Sequence, residues 1–179
     1  MSNISRRTVI KRLGASASVG SLSWSALAAE RAPRHLSFTH LHTGKQLNLT
    51  YHDGRQYLPG ALSEVNLFLS DFRTKESHPI DPALLDILHD LKTCLDCRNS
   101  KFEVISGYRS PATNEQLRQA SVGVAKKSLH MQGRAIDVRL SDMDSDRLRQ
   151  AAISLGRGGV GYYPSSNFVH LDTGRFRYW

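Results

Sequence analysis

The sequence predicts an α+β fold: a small, mostly antiparallel sheet with helices packed on one side. Three observations carry this expectation. Short stretches with period-two alternation, such as residues 36–40 and 135–140, are scattered along the chain and bounded by glycine and proline turns. Between them lie stretches with apolar residues at helical spacing, at positions 62, 65, 68, 69 and 72 and again at 84, 85, 88 and 91. The length of 179 residues and the 40% apolar content suit one folded domain with one core.

Taken in order, residues 34–52 read as a hairpin: Leu36, Phe38 and His40 alternate, Thr43-Gly44 turns, and Leu47, Leu49 and Tyr51 alternate again. His40, His42 and His52 lie there at strand spacing, which marks them as sheet or surface histidines rather than metal ligands. A helix spans residues 60–72. Ser77-His78-Pro79 breaks it, and Asp81 then caps a second helix opened by Pro82. Residues 102–105 form a strand that runs into the turn Ser106-Gly107-Tyr108-Arg109-Ser110-Pro111. A short helix follows over residues 113–120, then a glycine- and lysine-containing loop over 121–128 of the kind that forms cleft walls. Residues 135–140 alternate as a strand, and 144–155 form a helix with Leu148, Ala151, Ala152 and Leu155 inward. Gly158 to Tyr163 is a glycine-rich strand, which implies close backbone approach or a bulge. Residues 168–172 make a last strand before an aromatic and basic tail.

Residues 1–28 read as an export signal, not as part of the fold. Ser5-Arg6-Arg7-Thr8-Val9-Ile10-Lys11 follows the twin-arginine pattern, a weakly apolar stretch continues to Leu27, and Ala26-Leu27-Ala28 offers a small-x-small cleavage site. The stretch is too short and polar for a membrane span, which needs about 20 strongly apolar residues. Cleavage would leave a single domain over residues 29–179, exported folded to the periplasm, with no later membrane segment. The signal holds Arg6, Arg7, Lys11 and Arg12 and no acid, so four of the eight net positive charges belong to it and the remainder carries +4. That charge fits an anionic polymer partner but is too modest to argue for nucleic acid, and no nucleic-acid partner is expected.

Cys94 and Cys97 form a lone C-x-x-C. Without a second pair a four-thiolate zinc site is excluded, while a mixed cysteine–histidine site is not. The pair ends a helical stretch and lacks the strand-then-helix setting of a thioredoxin motif, so it reads as free thiols or a local disulfide.

The residues with chemistry are His130, Asp137 and His170. Two histidines and a carboxylate are a competent set for catalytic zinc, three protein ligands with the fourth position left for water. Zinc lowers the pKa of such a water to roughly 7 and polarises a carbonyl. Gly133 and the alternation after it place His130 on a loop and Asp137 on the following strand, with His170 on a neighbouring strand. Taken alone, a histidine and an aspartate seven residues apart are a weak signal. The longer pattern Ser128-x-His130-x-x-Gly133-x-Ala135-x-Asp137, followed by His170-x-Asp172, is much more specific.

That pattern resembles the LAS, or D-Ala-D-Ala carboxypeptidase-type, family of zinc peptidases, which act on bacterial wall peptides. The resemblance runs over essentially the whole chain, including the Ser106–Ser110 turn. It implies one zinc ion held by His130, Asp137 and His170, in a cleft at the sheet. It implies that Arg109 helps stabilise the developing oxyanion, and that Ser128 either hydrogen-bonds substrate or braces its loop. Relatives place Glu, Asp or His two or three residues before the last ligand, whereas this chain has Phe168 and Asn167. The nearest carboxylate is Asp172, which by strand alternation shares the face of His170. It could accept a proton from the attacking water or orient a ligand.

The implied activity is hydrolysis of peptide cross-links in peptidoglycan that involve meso-diaminopimelate, either D-Ala to diaminopimelate or diaminopimelate to diaminopimelate. A carboxypeptidase on uncross-linked stem peptides and a non-catalytic peptidoglycan-binding protein are the alternatives.

Overall fold

The computed structural model describes residues 32–121 and 123–179. The export signal expected over residues 1–28 lies outside them. Among the described residues no helix is long and apolar enough to cross a membrane.

Strands β1 (Arg34–His40) and β2 (Gln46–His52) pair antiparallel as the expected hairpin. Helix α1 (Pro59–Phe68) is shorter than its apolar spacing predicts. It stops because the Leu69 carbonyl accepts from Tyr108 N at 2.8 Å and Asp71 N turns to Glu76 O at 2.9 Å, so neither group continues the helix. Helix α2 (Pro82–Cys94) starts as expected, with the Asp81 carboxylate accepting from Ala83 N at 3.0 Å. Its Leu84, Leu85, Leu88 and Leu91 are fully buried, each contributing about 1.5–3 kcal/mol relative to exposure. At the end of α2 and just beyond it, Cys94 and Cys97 are free thiols.

Strand β3 (Phe102–Ser106) leads into helix α3 (Pro111–Ala120). Its cap is Ser110, accepting from Thr113 N, so the helix begins two residues earlier than expected. Then come β4 (Ala135–Leu140), α4 (Ser145–Leu155) behind the Asp144 cap, β5 (Gly159–Tyr163), β6 (Phe168–Asp172) and the two-residue β7 (Arg177–Tyr178).

The seven strands form one sheet in the order β2-β1-β3-β4-β6-β5-β7. The sheet is mixed, which corrects the expectation of a mostly antiparallel one: β1 runs parallel to β3, and β5 parallel to β7. The hairpin signal reports only pairings between sequence neighbours. The β1/β3 pairing instead needs a long crossover, and here it contains β2, α1 and α2.

Register sorts the side chains onto two faces. Val104, Val138 and Val169 align across β3, β4 and β6, and Ile136, Leu171 and Val160 across β4, β6 and β5. These residues join the leucines of α2, and Leu148 and Ala152 of α4, in one core. Helix α1 adds Val65 to that core, whereas α3 adds nothing to it. The alternate residues Asp137, His170 and Gly161 therefore face the other way.

Candidate metal centre

Asp137 on β4 and His170 on β6 are direct partners in the antiparallel ladder, which is how residues 33 positions apart come to share one site. His130 arrives from a 3₁₀ turn over Leu129–Gln132. Ser128 caps that turn, its Oγ accepting from His130 N at 3.3 Å. Gly133 closes it in the left-handed conformation at φ 65°, where a Cβ would also strike the Pro79 carbonyl. His130 and Asp137 are buried, and the His170 side chain is 12% exposed.

The facing atoms form a tight triangle. His130 Nε2 lies 3.2 Å from Asp137 Oδ1 and 3.2 Å from His170 Nδ1, and Asp137 Oδ1 lies 2.9 Å from His170 Nδ1. Tetrahedral zinc with bonds of about 2.0–2.1 Å has ligand–ligand edges of about 3.3–3.4 Å, so the triangle needs to open by only a few tenths of an ångström. Among the described residues this is the group of histidine, cysteine and acid side chains that could hold a metal ion.

The surrounding contacts prepare the same atoms. His130 Nδ1 is 2.7 Å from the Gly107 carbonyl, which can only accept, so Nδ1 carries the proton and Nε2 keeps a lone pair for a metal. His170 Nε2 is 3.1 Å from Asp172 Oδ2, so Nε2–H donates there and Nδ1 is the atom left for the triangle. Asp137 Oδ2 accepts from Arg109 Nη2 at 3.2 Å, which leaves Oδ1 in the triangle.

Charge follows this arrangement. Burial pushes the His130 pKa down, against the opposing pull of Asp137, and keeps the ring neutral. Burial would lower His170 too, but hydrogen bonds to Asp137 and Asp172 outweigh it and raise the imidazole to about 9. Burial would raise Asp137, yet its contacts with the two histidines hold its carboxyl well below the usual range. Asp172 is depressed as well, because hydrogen bonds from His170, Arg177 and two backbone amides overcome its burial. Two ionised carboxylates and a neutral His130 suit a divalent cation, and His170 suits it once it has lost its proton.

Each expected site residue takes a defined place. His130, Asp137 and His170 come together. Arg109 borders the cleft with its side chain 11% exposed, and its Nε is a buried donor that finds no partner among the described residues. Ser128 lines the cleft while its hydroxyl braces the His130 turn. Asp172 is fully buried and meets His170 on the ring nitrogen turned away from the triangle. Its contacts fit orientation of His170 better than proton transfer, which requires reach to the attacking water.

A cleft of about 610 Å³ opens over the triangle. One wall is the loop expected there, including Gly123, Ala125 and Lys127; the other is aromatic, made by Tyr163, Phe168 and Trp179. Phe168 and Tyr163 stack with ring centres 4.6 Å apart. Sequence reasoning missed three contributors: the Gly107 carbonyl, Arg177 and Trp179. The signal for the last two was present as Gly159 and Gly161, glycines whose strand must admit something close.

His40, His42 and His52 stay out of the site. His40 is buried against Phe68 and Phe72, and His42 stacks on Phe72 at 4.3 Å.

A His–Asp–His triangle at the bottom of an open cleft, each histidine fixed by an outer partner, defines a protein of the metallopeptidase class. Residues 28–179 match the family profile Peptidase_M15_2, described as peptidoglycan L,D-endopeptidase MepK, and the chain belongs to this family. Among similar proteins, the peptidoglycan L,D-endopeptidase MepK of Escherichia coli (strain K12) is 46% identical over 147 residues, covering 82% of this chain and 80% of the relative. The protein of the same name in Shigella flexneri matches to the same extent. The probable peptidoglycan L,D-endopeptidase MepK of Haemophilus influenzae is 40% identical over 154 residues, covering 86% and 83%. The likeness to murein endopeptidase K thus extends through the whole described region.

Proposed function

We propose that this chain is a zinc-dependent murein endopeptidase that hydrolyses peptide cross-links of peptidoglycan in the periplasm. The observation that carries the reading is the triangle of His130 Nε2, Asp137 Oδ1 and His170 Nδ1, with edges of 2.9–3.2 Å at the floor of an open cleft. These three residues would hold one zinc ion per chain. When bound, zinc brings a water's pKa to roughly 7 and polarises a carbonyl. Residues 29–179 form the single catalytic domain, and residues 1–28 are a twin-arginine leader that directs the folded protein across the inner membrane.

The chain's own groups do the rest. Arg109 holds Asp137 through Oδ2 and, bordering the cleft, brings its guanidinium charge to the oxygen on which charge develops. Ser128 keeps the His130 turn in place. Asp172 holds His170 in the tautomer that presents Nδ1. The loop residues from Gly123 to Ser128 and the aromatic wall confine the stem peptide between them. The relatives' name specifies a bond joining an L centre to a D centre. Of the two cross-links considered, diaminopimelate to diaminopimelate fits that description.

Isolated sacculi incubated with the zinc-loaded protein test this. Cross-linked muropeptides should convert to monomers, with the conversion lost in His130→Ala and on chelation and restored by zinc. An unchanged muropeptide profile with one zinc bound, or full activity in His130→Ala, would refute it. Removal of terminal residues from monomers, with dimers left intact, would instead identify a carboxypeptidase.

A further inference from the structure

One chain of contacts reaches the triangle from residues 173–179, a stretch whose sequence pattern assigns it no role. After β6 the backbone turns and β7 lies parallel to β5. Beyond β7 the pairing continues: Trp179 N donates to Val160 O at 3.2 Å, and Tyr162 N donates to Trp179 O at 3.1 Å. The seat exists because β5 carries glycine on this face. A Cβ at Gly159 would collide with the Arg177 guanidinium and the Asp172 carboxylate, and one at Gly161 with the Trp179 indole.

In this seat Arg177 grips Asp172 with both terminal nitrogens, Nη1 to Oδ1 at 3.0 Å and Nη2 to Oδ2 at 2.6 Å. Gly159 N and Gly174 N donate to Oδ1 at 2.9 and 2.8 Å, and His170 Nε2–H donates to Oδ2 at 3.1 Å. Every contact of the fully buried carboxylate other than that to His170 thus comes from Arg177 or from the backbone beside it.

We propose that Arg177 is a positioning residue of the metal centre, acting on His170 through Asp172. The inference rests on the metal-site reading above. A carboxylate gripped on both oxygens has one orientation, and Oδ2 then fixes the plane of the His170 ring. With the ring fixed, Nδ1 faces His130 and Asp137. Without the fork Asp172 keeps, besides His170, only its two backbone donors, both on Oδ1, and Oδ2 loses its second anchor. Lysine cannot replace the fork, because its ammonium is a single point of charge.

The test compares the wild-type protein with Arg177→Ala and Arg177→Lys, using zinc and cobalt(II) as probes and a competing chelator to read affinity. Arg177→Ala is expected to bind both metals about 10–100-fold more weakly, the range typical for loss of an outer partner of a ligand. The visible bands of its cobalt(II) form should shift as His170 loosens. Arg177→Lys should fall between the two. Equal affinities and superimposable cobalt(II) spectra in wild type and Arg177→Ala would overturn the proposal and leave the metal-centre reading standing. A wild-type protein that binds neither metal would overturn that reading itself. If Arg177→Ala does not fold, Arg177→Lys decides: wild-type affinity and spectrum there overturn the role of the fork.

Discussion

Asp137 and His170 face each other across β4 and β6 with 2.9 Å between Asp137 Oδ1 and His170 Nδ1, an ion pair without metal that would become a ligand pair in the proposed zinc site. In the metal-free protein His170 is protonated up to about pH 9, because its bonds to Asp137 and Asp172 outweigh burial. A metal must displace that proton. Near pH 7, zinc uptake should therefore release about one proton, and apparent affinity should rise about tenfold per pH unit until pH 9. Calorimetry in buffers of different ionisation enthalpy counts the proton; a pH-independent affinity between pH 6 and 9 would contradict the assignment. The folded pKa lies above the ordinary 6.5. The stabilisation it adds to the metal-free protein is accordingly complete below pH 6.5 and lost as pH rises through about 9.

Arg109 separates metal holding from charge stabilisation. It touches Asp137 only on the oxygen outside the triangle and borders the cleft. Arg109→Ala should keep zinc at one per chain yet lower kcat by about 10²–10³-fold, the usual loss for one oxyanion donor. Metal analysis alongside cleavage rates checks this; loss of zinc and activity in step would assign Arg109 to metal binding instead.

Asp86 on α2 carries a second buried polar cluster, far from the chemistry. Its carboxylate accepts from Arg34 at 2.7 Å and from the hydroxyls of Tyr51 and Tyr57 at 2.9 and 2.6 Å. Burial would raise its pKa, but those three donors hold it below 3.8. Asp86→Ala should cost about 3 kcal/mol, since it leaves buried donors unpaired. A depressed carboxyl contributes stability above the unfolded pKa and loses it as pH falls through the folded one. The gap between wild type and variant should thus be full at neutral pH and close below pH 3.8. Urea unfolding at several pH values measures it.

Gly161 tests the seat of the aromatic wall. Gly161→Ala drives a methyl group into the Trp179 indole and should cost about 1–3 kcal/mol as an overpacked contact. Zinc stoichiometry should be kept while the Michaelis constant for muropeptides rises. Unaltered stability and kinetics would mean that Trp179 moves aside without consequence.

What the sequence made legible was local. The Asp81 and Asp144 caps, the 34–52 hairpin and the alternation of 135–140 depend on neighbouring residues, and each appears in the fold. The three triangle residues were legible because an extended pattern surrounds them. The parallel pairings were not, since nothing in residues 36–40 or 102–105 encodes which strand lies alongside. Asp86 was equally opaque: its three partners lie 29 to 52 positions away. Gly159 and Gly161 announced a close approach but not its occupant, because a missing side chain specifies space and not what fills it.

The aromatic wall also has an optical consequence. The sequence holds two tryptophans, Trp24 and Trp179, and the first lies in the proposed leader. A chain processed at Ala28 would owe its tryptophan emission to Trp179 alone, whose ring centre is 5.4 Å from that of His170 and whose Nε1 donates to the Tyr163 hydroxyl. A protonated imidazole at that range quenches indole emission. The cleft therefore carries its own fluorophore, one that should brighten as His170 gives up its proton.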